Sequence, residues 1–291
     1  MSTRRTLYNG WIRFKFACLV SILITTLGLA QTKTAPVSPQ TATNSTQASY
    51  DRNLFWDLAT GKKKDQATLE ALTAIAQAGN ARAQYDLGVL YTGLAGFPKD
   101  LTKAAYWFRR AADQGHPAAQ FSLGVKYADG EGVPRDAAIA EYWFQQAADQ
   151  DSSFAVMAGQ KYDQGVGIPQ DYTTAFHWYE IAAIKGDVAG QFIVGQMYFT
   201  GQGVTQDYNA AVKWTLLAAE REHTDAMHNL SIAYENGFGV PQNYTIAHMW
   251  ENLAAARNPQ YAKDRDALAR KMTAAQVAEA QKLASEWKPK K

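Results

Sequence analysis

Apolar residues fall into phased blocks along this chain. From Ala17 to Ala30 they make one run broken only by Ser21, Thr25, Thr26 and Gly28. Across residues 31–50 they lose all periodicity, and beyond about residue 65 they recur at helical spacing. In residues 118–129, Ala119, Leu123 and Tyr127 lie four apart, one stripe of a helix. Residues 130–136, GEGVPRD, follow. Two glycines there supply turn conformations, Pro134 cannot continue the helix before it, and Asp136 stands where the next helix needs an N-cap. That next helix sets Ala140, Trp143, Ala147 and Ala148 on one side. The unit is a pair of antiparallel helices.

The unit repeats. Trp107, Trp143, Trp178, Trp214 and Trp250 are spaced by 36, 35, 36 and 36 residues, and Tyr91, Tyr127, Tyr162, Tyr198 and Tyr234 keep the same intervals. Gly88, Gly124, Gly159 and Gly195 stay in phase, with Ser231 in the fifth place. Asp100, Asp136, Asp171, Asp207 and Asn243 occupy the N-cap position. A small residue recurs at Ala104, Ala140, Ala175, Ala211 and Ala247, which lets helices approach closely while the tryptophan fills the space between units. A fixed period in this range means stacked supersecondary units, not two globular domains.

The pattern Leu-Gly-x-x-Tyr, Gly-x-Gly-Val-x-x-Asp, Ala-x-x-Trp and Ala-Ala resembles the Sel1-like repeat, a relative of tetratricopeptide repeats. The resemblance implies an all-α, right-handed α-solenoid of five copies over 80–256: about 80–115, 116–150, 151–186, 187–222 and 223–256. Copy one carries Leu94 and Ala95 in its turn, copy three is one residue short near 151–153, and copy five has Ser231 and Asn243. Capping helices are expected at both ends, because an open solenoid end exposes apolar surface. Over 51–79, Leu54, Phe55, Trp56 and Leu58 precede a helix carrying Leu69, Leu72, Ile75 and Ala76. Over 257–291, a helix from about Gln260 to Lys271 precedes Thr273-x-x-Gln276, a capping-box pattern. Val277, Ala280, Leu283 and Trp287 then form the stripe of a last helix, ahead of a basic tail.

Charge changes the picture at the N-terminus. The formal net charge is +2, from 29 Lys+Arg and 27 Asp+Glu. Arg4, Arg5, Arg13 and Lys15 stand in residues 1–30 without an acid, so the rest is near −2. Four cations before a fourteen-residue apolar run, with Gly28 and Ala30 before Gln31, read as a signal peptide over 1–30. Export to a bacterial periplasm or the exterior follows, with no stable membrane span after cleavage; the alternative is a chain anchored by an uncleaved signal. Residues 31–50, rich in Thr, Ser, Gln and Pro, read as a disordered tether. The near-neutral folded part excludes a dedicated nucleic-acid binder. A single cysteine, Cys18, makes no disulfide and no zinc cluster.

Catalytic patterns dissolve on inspection. The Gly-x-Gly turns recur in phase and lack the third glycine of a phosphate loop. Ser285-Glu286-Trp287-Lys288 matches a Ser-x-x-Lys nucleophile only formally, without partner motifs. Among five histidines, His223 and His228 are five apart and do not share a helix face. No enzyme, metal or cofactor is expected from these spacings.

Function then comes from shape. A solenoid presents a long inner face lined by first helices. By resemblance to tetratricopeptide grooves, the residue three before the motif glycine faces inward: Tyr85, Phe121, Val156, Phe192 and His228. The residue after the glycine lies beside it: Val89, Val125, Gln160, Gln196 and Ile232. Aromatic and apolar rows with polar interruptions suit a docked peptide or partner helix. The same aromatics recurring in phase also suit the repeat's own packing. The expectation is a non-enzymatic interaction scaffold or regulator of the bacterial cell envelope with a protein or peptide partner. Two alternatives stand beside it: a periplasmic immunity protein neutralising a secreted toxin, and a β-lactam or cell-wall hydrolase.

Overall fold

A computed structural model describes residues 51–60 and 66–290. The expected signal segment and tether, with Cys18, and residues 61–65 lie outside the described residues. Fourteen α-helices and no strand occur among those described. Helices α1 (Asn53–Ala59) and α2 (Gln66–Gln77) come first. Five pairs follow: α3 (Ala81–Tyr91) with α4 (Leu101–Ala112), α5 (Pro117–Asp129) with α6 (Ala137–Gln150), α7 (Ser153–Gln164) with α8 (Tyr172–Ile184), α9 (Val188–Thr200) with α10 (Tyr208–Glu220), and α11 (Thr224–Asn236) with α12 (Tyr244–Arg257). Helices α13 (Ala262–Ala269) and α14 (Ala274–Glu286) end the chain. Each helix packs on its neighbours in sequence, giving an all-α solenoid of stacked antiparallel helix pairs.

The turn inside each pair has one construction. In copies two to five the first helix ends on a left-handed glycine, Gly130, Gly165, Gly201 or Gly237, at φ 67–74°. The N-cap residue of the second helix then donates its backbone N–H to the carbonyl of the motif tyrosine. These bonds run from Asp100 to Tyr91, Asp136 to Tyr127, Asp171 to Tyr162, Asp207 to Tyr198 and Asn243 to Tyr234, at 2.8–3.0 Å. All five N-cap side chains accept a backbone N–H of their helix, as the spacing predicts. The second glycine serves the stack. A Cβ at Gly132 would sit 2.0 Å from the carbonyl oxygen of Leu101, and at Gly203 2.1 Å from that of Tyr172, each in the copy before. In copy one, where Leu94 and Ala95 replace this turn, Leu94–Gly96 winds into a 3₁₀ turn entered from Gly93 at φ 96°.

Between copies the core is alanine, tryptophan and buried amide. Trp107, Trp143, Trp178 and Trp250 are buried, each worth about 4 kcal/mol of transfer free energy on apolar area alone. Gln84, Gln120 and Gln191 are buried too. Each donates its amide to a carbonyl in the last turn of the preceding helix, Ala76, Ala112 and Ala183 respectively, which also accepts the N–H of the glycine just beyond, Gly79, Gly115 and Gly186. At the rim, Gln150 donates to the carbonyl of Gly115, and Arg221 to that of Gly186.

The C-terminal end differs from its expected form. Asn258 and Pro259 start a 3₁₀ turn, Pro259–Tyr261, before α13, and the capping box of Thr273 and Gln276 is formed. Only Ala280 of the expected stripe in α14 is buried. Trp287 follows the helix as an extended residue and sets its ring against Trp250, centroids 6.0 Å apart, beneath the guanidinium of Arg257. The backbone N–H of Lys290 then bonds the carbonyl of Glu220 at 2.8 Å. The helix is pinned at its end because its own face carries too little apolar surface to bury.

Candidate functional site

The inward-facing rows are built by one register. In each copy the residue three before the motif glycine, on the first helix, is matched with the residue after the tryptophan on the second. These pairs are Tyr85 and Phe108, Phe121 and Phe144, Val156 and Tyr179, Phe192 and Thr215, His228 and Glu251. Two are ring pairs in contact, with centroids at 5.7 Å (Tyr85 and Phe108) and 5.1 Å (Phe121 and Phe144). The motif glycine admits the ring: a Cβ at Gly88 would stand 2.5 Å from Phe108, and one at Gly124 2.7 Å from Phe144.

The first row also makes ring contacts forward, onto the following copy or, for His228, onto the turn before α13. Tyr85 lies on His116 at 4.8 Å, Phe121 on Phe154 at 5.6 Å, Phe192 on His223 at 4.2 Å and His228 on Tyr261 at 4.3 Å. Tyr85 and Phe192 are only 7% and 3% exposed as a result, and Val156 and Ile232 are each 8% exposed. These four form the floor of the face. Val89, Phe121, Val125, Gln160 and Gln196 keep partial exposure and make up its accessible surface.

The fifth copy departs from the rule. Glu251 takes the ring position, and Ser231 takes the glycine position where no ring now has to be admitted. His228 Nδ1 lies 2.9 and 3.1 Å from the two carboxylate oxygens of Glu251. Their side chains are 11% and 2% exposed. Tyr261 covers the imidazole face and donates its hydroxyl to Asp225 at 2.5 Å. Asp264, on α13, is exposed and closes the group. Burial works against a charged imidazole, but the Glu251 hydrogen bond and the charges of Glu251, Asp264 and Asp225 outweigh it and hold the His228 pKa above its usual value. Burial, then the bond to Asp225, pushes the Tyr261 phenol upward.

Sequence reasoning placed His228 in the inner row but missed Glu251, Tyr261, Asp225 and Asp264. The available signal was the joint loss of a glycine at Ser231 and of a ring at Glu251. Ser285, of the formal Ser-x-x-Lys match, donates its hydroxyl to the carbonyl of Lys282 in its own helix.

The family model described as "Sel1 repeat" matches residues 81–116, 117–152, 155–187, 188–223 and 224–259, more than half of the chain. Two solved structures are similar. One is c5321, a protective antigen of uropathogenic Escherichia coli displaying an SLR fold: 38% identity, TM-score 0.51, covering 65% of this chain and 41% of that one. The other is a Sel1 repeat protein from Oxalobacter formigenes: 32% identity, TM-score 0.55, covering 70% of this chain and 61% of that one. This chain therefore spans less than two thirds of either. A comparison with curated proteins finds no match.

Proposed function

From the premise that this chain belongs to the Sel1-repeat family, whose members are in general protein-interaction scaffolds, we propose that it is a non-enzymatic docking module. It binds an extended peptide or a partner helix along the first-helix face. The observation that carries this reading is the partly exposed strip of Phe121, Val125, Gln160 and Gln196 on three consecutive copies, laid over a floor that the stack itself holds rigid. A close-packed floor lowers the ordering cost of binding, and apolar side chains on copy two followed by amides on copies three and four suit a peptide that offers both side chains and backbone.

We place this module in the bacterial cell envelope. The support is the cationic, apolar first thirty residues and the bacterial source of both similar structures. No helix among the described residues is long and apolar enough to cross a membrane.

Site-specific photo-crosslinking in the native cell tests the docking face. A crosslinker at Val125 or Gln160 is expected to yield a discrete protein adduct, and one at Tyr142, 55% exposed on a second helix, none. Equal labelling from both faces, or none from the first, overturns the reading.

A further inference from the structure

We propose that His228, Glu251 and Asp264 hold a divalent transition-metal ion of the zinc kind at the junction of the fifth copy with the C-terminal helices. The proposal is independent of the docking reading. Among the described residues this is the group of His, Cys, Asp and Glu side chains whose ligand atoms converge, all within 4.8 Å of one another. The donors come from α11, α12 and α13. The His228 to Glu251 separations of 2.9 and 3.1 Å are those of a hydrogen bond; an ion that displaces the shared proton needs the pair to open only a few tenths of an ångström, to the edge of about 3.4 Å of a tetrahedral shell with bonds of about 2.0–2.2 Å. Asp264, being exposed, is free to swing onto a third corner.

The donor chemistry selects the ion. One imidazole nitrogen with carboxylate oxygens suits zinc and its first-row neighbours, whereas calcium and magnesium favour all-oxygen shells. Three protein ligands leave a fourth position for water or for a side chain of a docked partner. The surroundings favour a cation, since the charges acting on His228 come from Glu251, Asp264 and Asp225, all acids. Tyr261, stacked on the ring and tethered to Asp225, restricts the imidazole to its present plane.

A plain ion pair explains the position poorly. At the same register two other copies set ring against ring, and replacing an apolar pair by a buried charged pair usually costs stability rather than adding it. A bound cation supplies the missing compensation and ties α13 to the last repeat.

The test is titration of the full chain with Zn²⁺ against a chromophoric chelator, with Co²⁺ absorption as a spectroscopic probe. One equivalent is expected to bind, with a rise in melting temperature, while Ca²⁺ and Mg²⁺ leave the protein unchanged. Asp264→Asn, at an exposed position where folding is not at stake, is expected to weaken Zn²⁺ binding at least about tenfold, and His228→Gln more. His177→Asn, at an exposed site elsewhere, leaves it intact. Failure to bind one equivalent at micromolar Zn²⁺, or binding that neither Asp264→Asn nor His228→Gln weakens, overturns the proposal.

Discussion

Gly124 and Ser231 occupy the same place in two copies and differ for one physical reason. A Cβ at Gly124 would meet the ring of Phe144 at 2.7 Å and the carbonyl oxygen of Ala140 at 3.0 Å. Alanine in a helix gains up to about 1 kcal/mol over glycine, but overpacking of this kind costs about 1–3 kcal/mol. Gly124→Ala is therefore expected to destabilise the protein, lowering its urea midpoint. Adding Phe144→Leu, which narrows the obstruction, should recover part of the loss. An unchanged midpoint in Gly124→Ala would mean that the ring moves aside freely. Ser231 escapes the conflict because Glu251 stands where the ring would be. The serine and the His228–Glu251 pair are two halves of one substitution.

Helix starts divide into two sets. The second helices take Asp or Asn caps throughout, whereas the first helices take Asn80, His116, Asp187 and His223. His116 and His223 cap through Nδ1, which accepts a backbone N–H only while the imidazole is neutral. Burial, helped by the nearby Arg82, lowers the His116 pKa from 6.5 to about 4, and burial lowers that of His223. Above pH 6.5 the imidazole is neutral in folded and unfolded chains alike. Between pH 6.5 and about 4 only the unfolded chain takes up the proton, so stability falls as the pH falls. At about 1.4 kcal/mol per pH unit, His116 alone removes up to about 3 kcal/mol over that window. His116→Asn keeps an N-cap acceptor and removes the titration. Its unfolding free energy is expected to change less between pH 7 and pH 4 than that of the parent, and parallel curves would show that the cap does not set the dependence.

Because each helix pair meets only its neighbours in the stack, local weakness at one junction divides the molecule instead of being averaged away. The weak junction is the second to the third copy. Helix α7 is capped through Asp151, whose Oδ1 accepts the Ser153 N–H, with Ser152 already helical, and of the junctions between consecutive copies this one packs its helices together least. The family match is shortened at the same place, resuming at residue 155. Hydrogen exchange is expected to show the amides of residues 154–157 opening at lower free energy than those of residues 189–192. Equal protection of the two segments would mean that the ring contact of Phe154 with Phe121, at 5.6 Å, makes up for the sparser junction.

The helix pairs, the N-caps of the second helices, the glycine turns and the in-phase tryptophans were legible along the chain, whereas the histidine caps of the first helices were not. Each of the legible features rests on interactions within about one period, and most copies write the same rule again. The C-terminal anchor was not legible, since Trp287 meets Trp250 only when α14 folds back across the last repeat. Nor was the division of the inner row into buried floor and accessible strip, because Tyr85 and Phe192 lose their exposure to residues of the following copy. The His228, Glu251 and Asp264 group lay furthest from view. Its members come from three helices and share no spacing motif, and only packing of the last repeat against the terminal helices brings them together. Periodicity reports what each unit does with itself, and the stack decides what one unit does to the next.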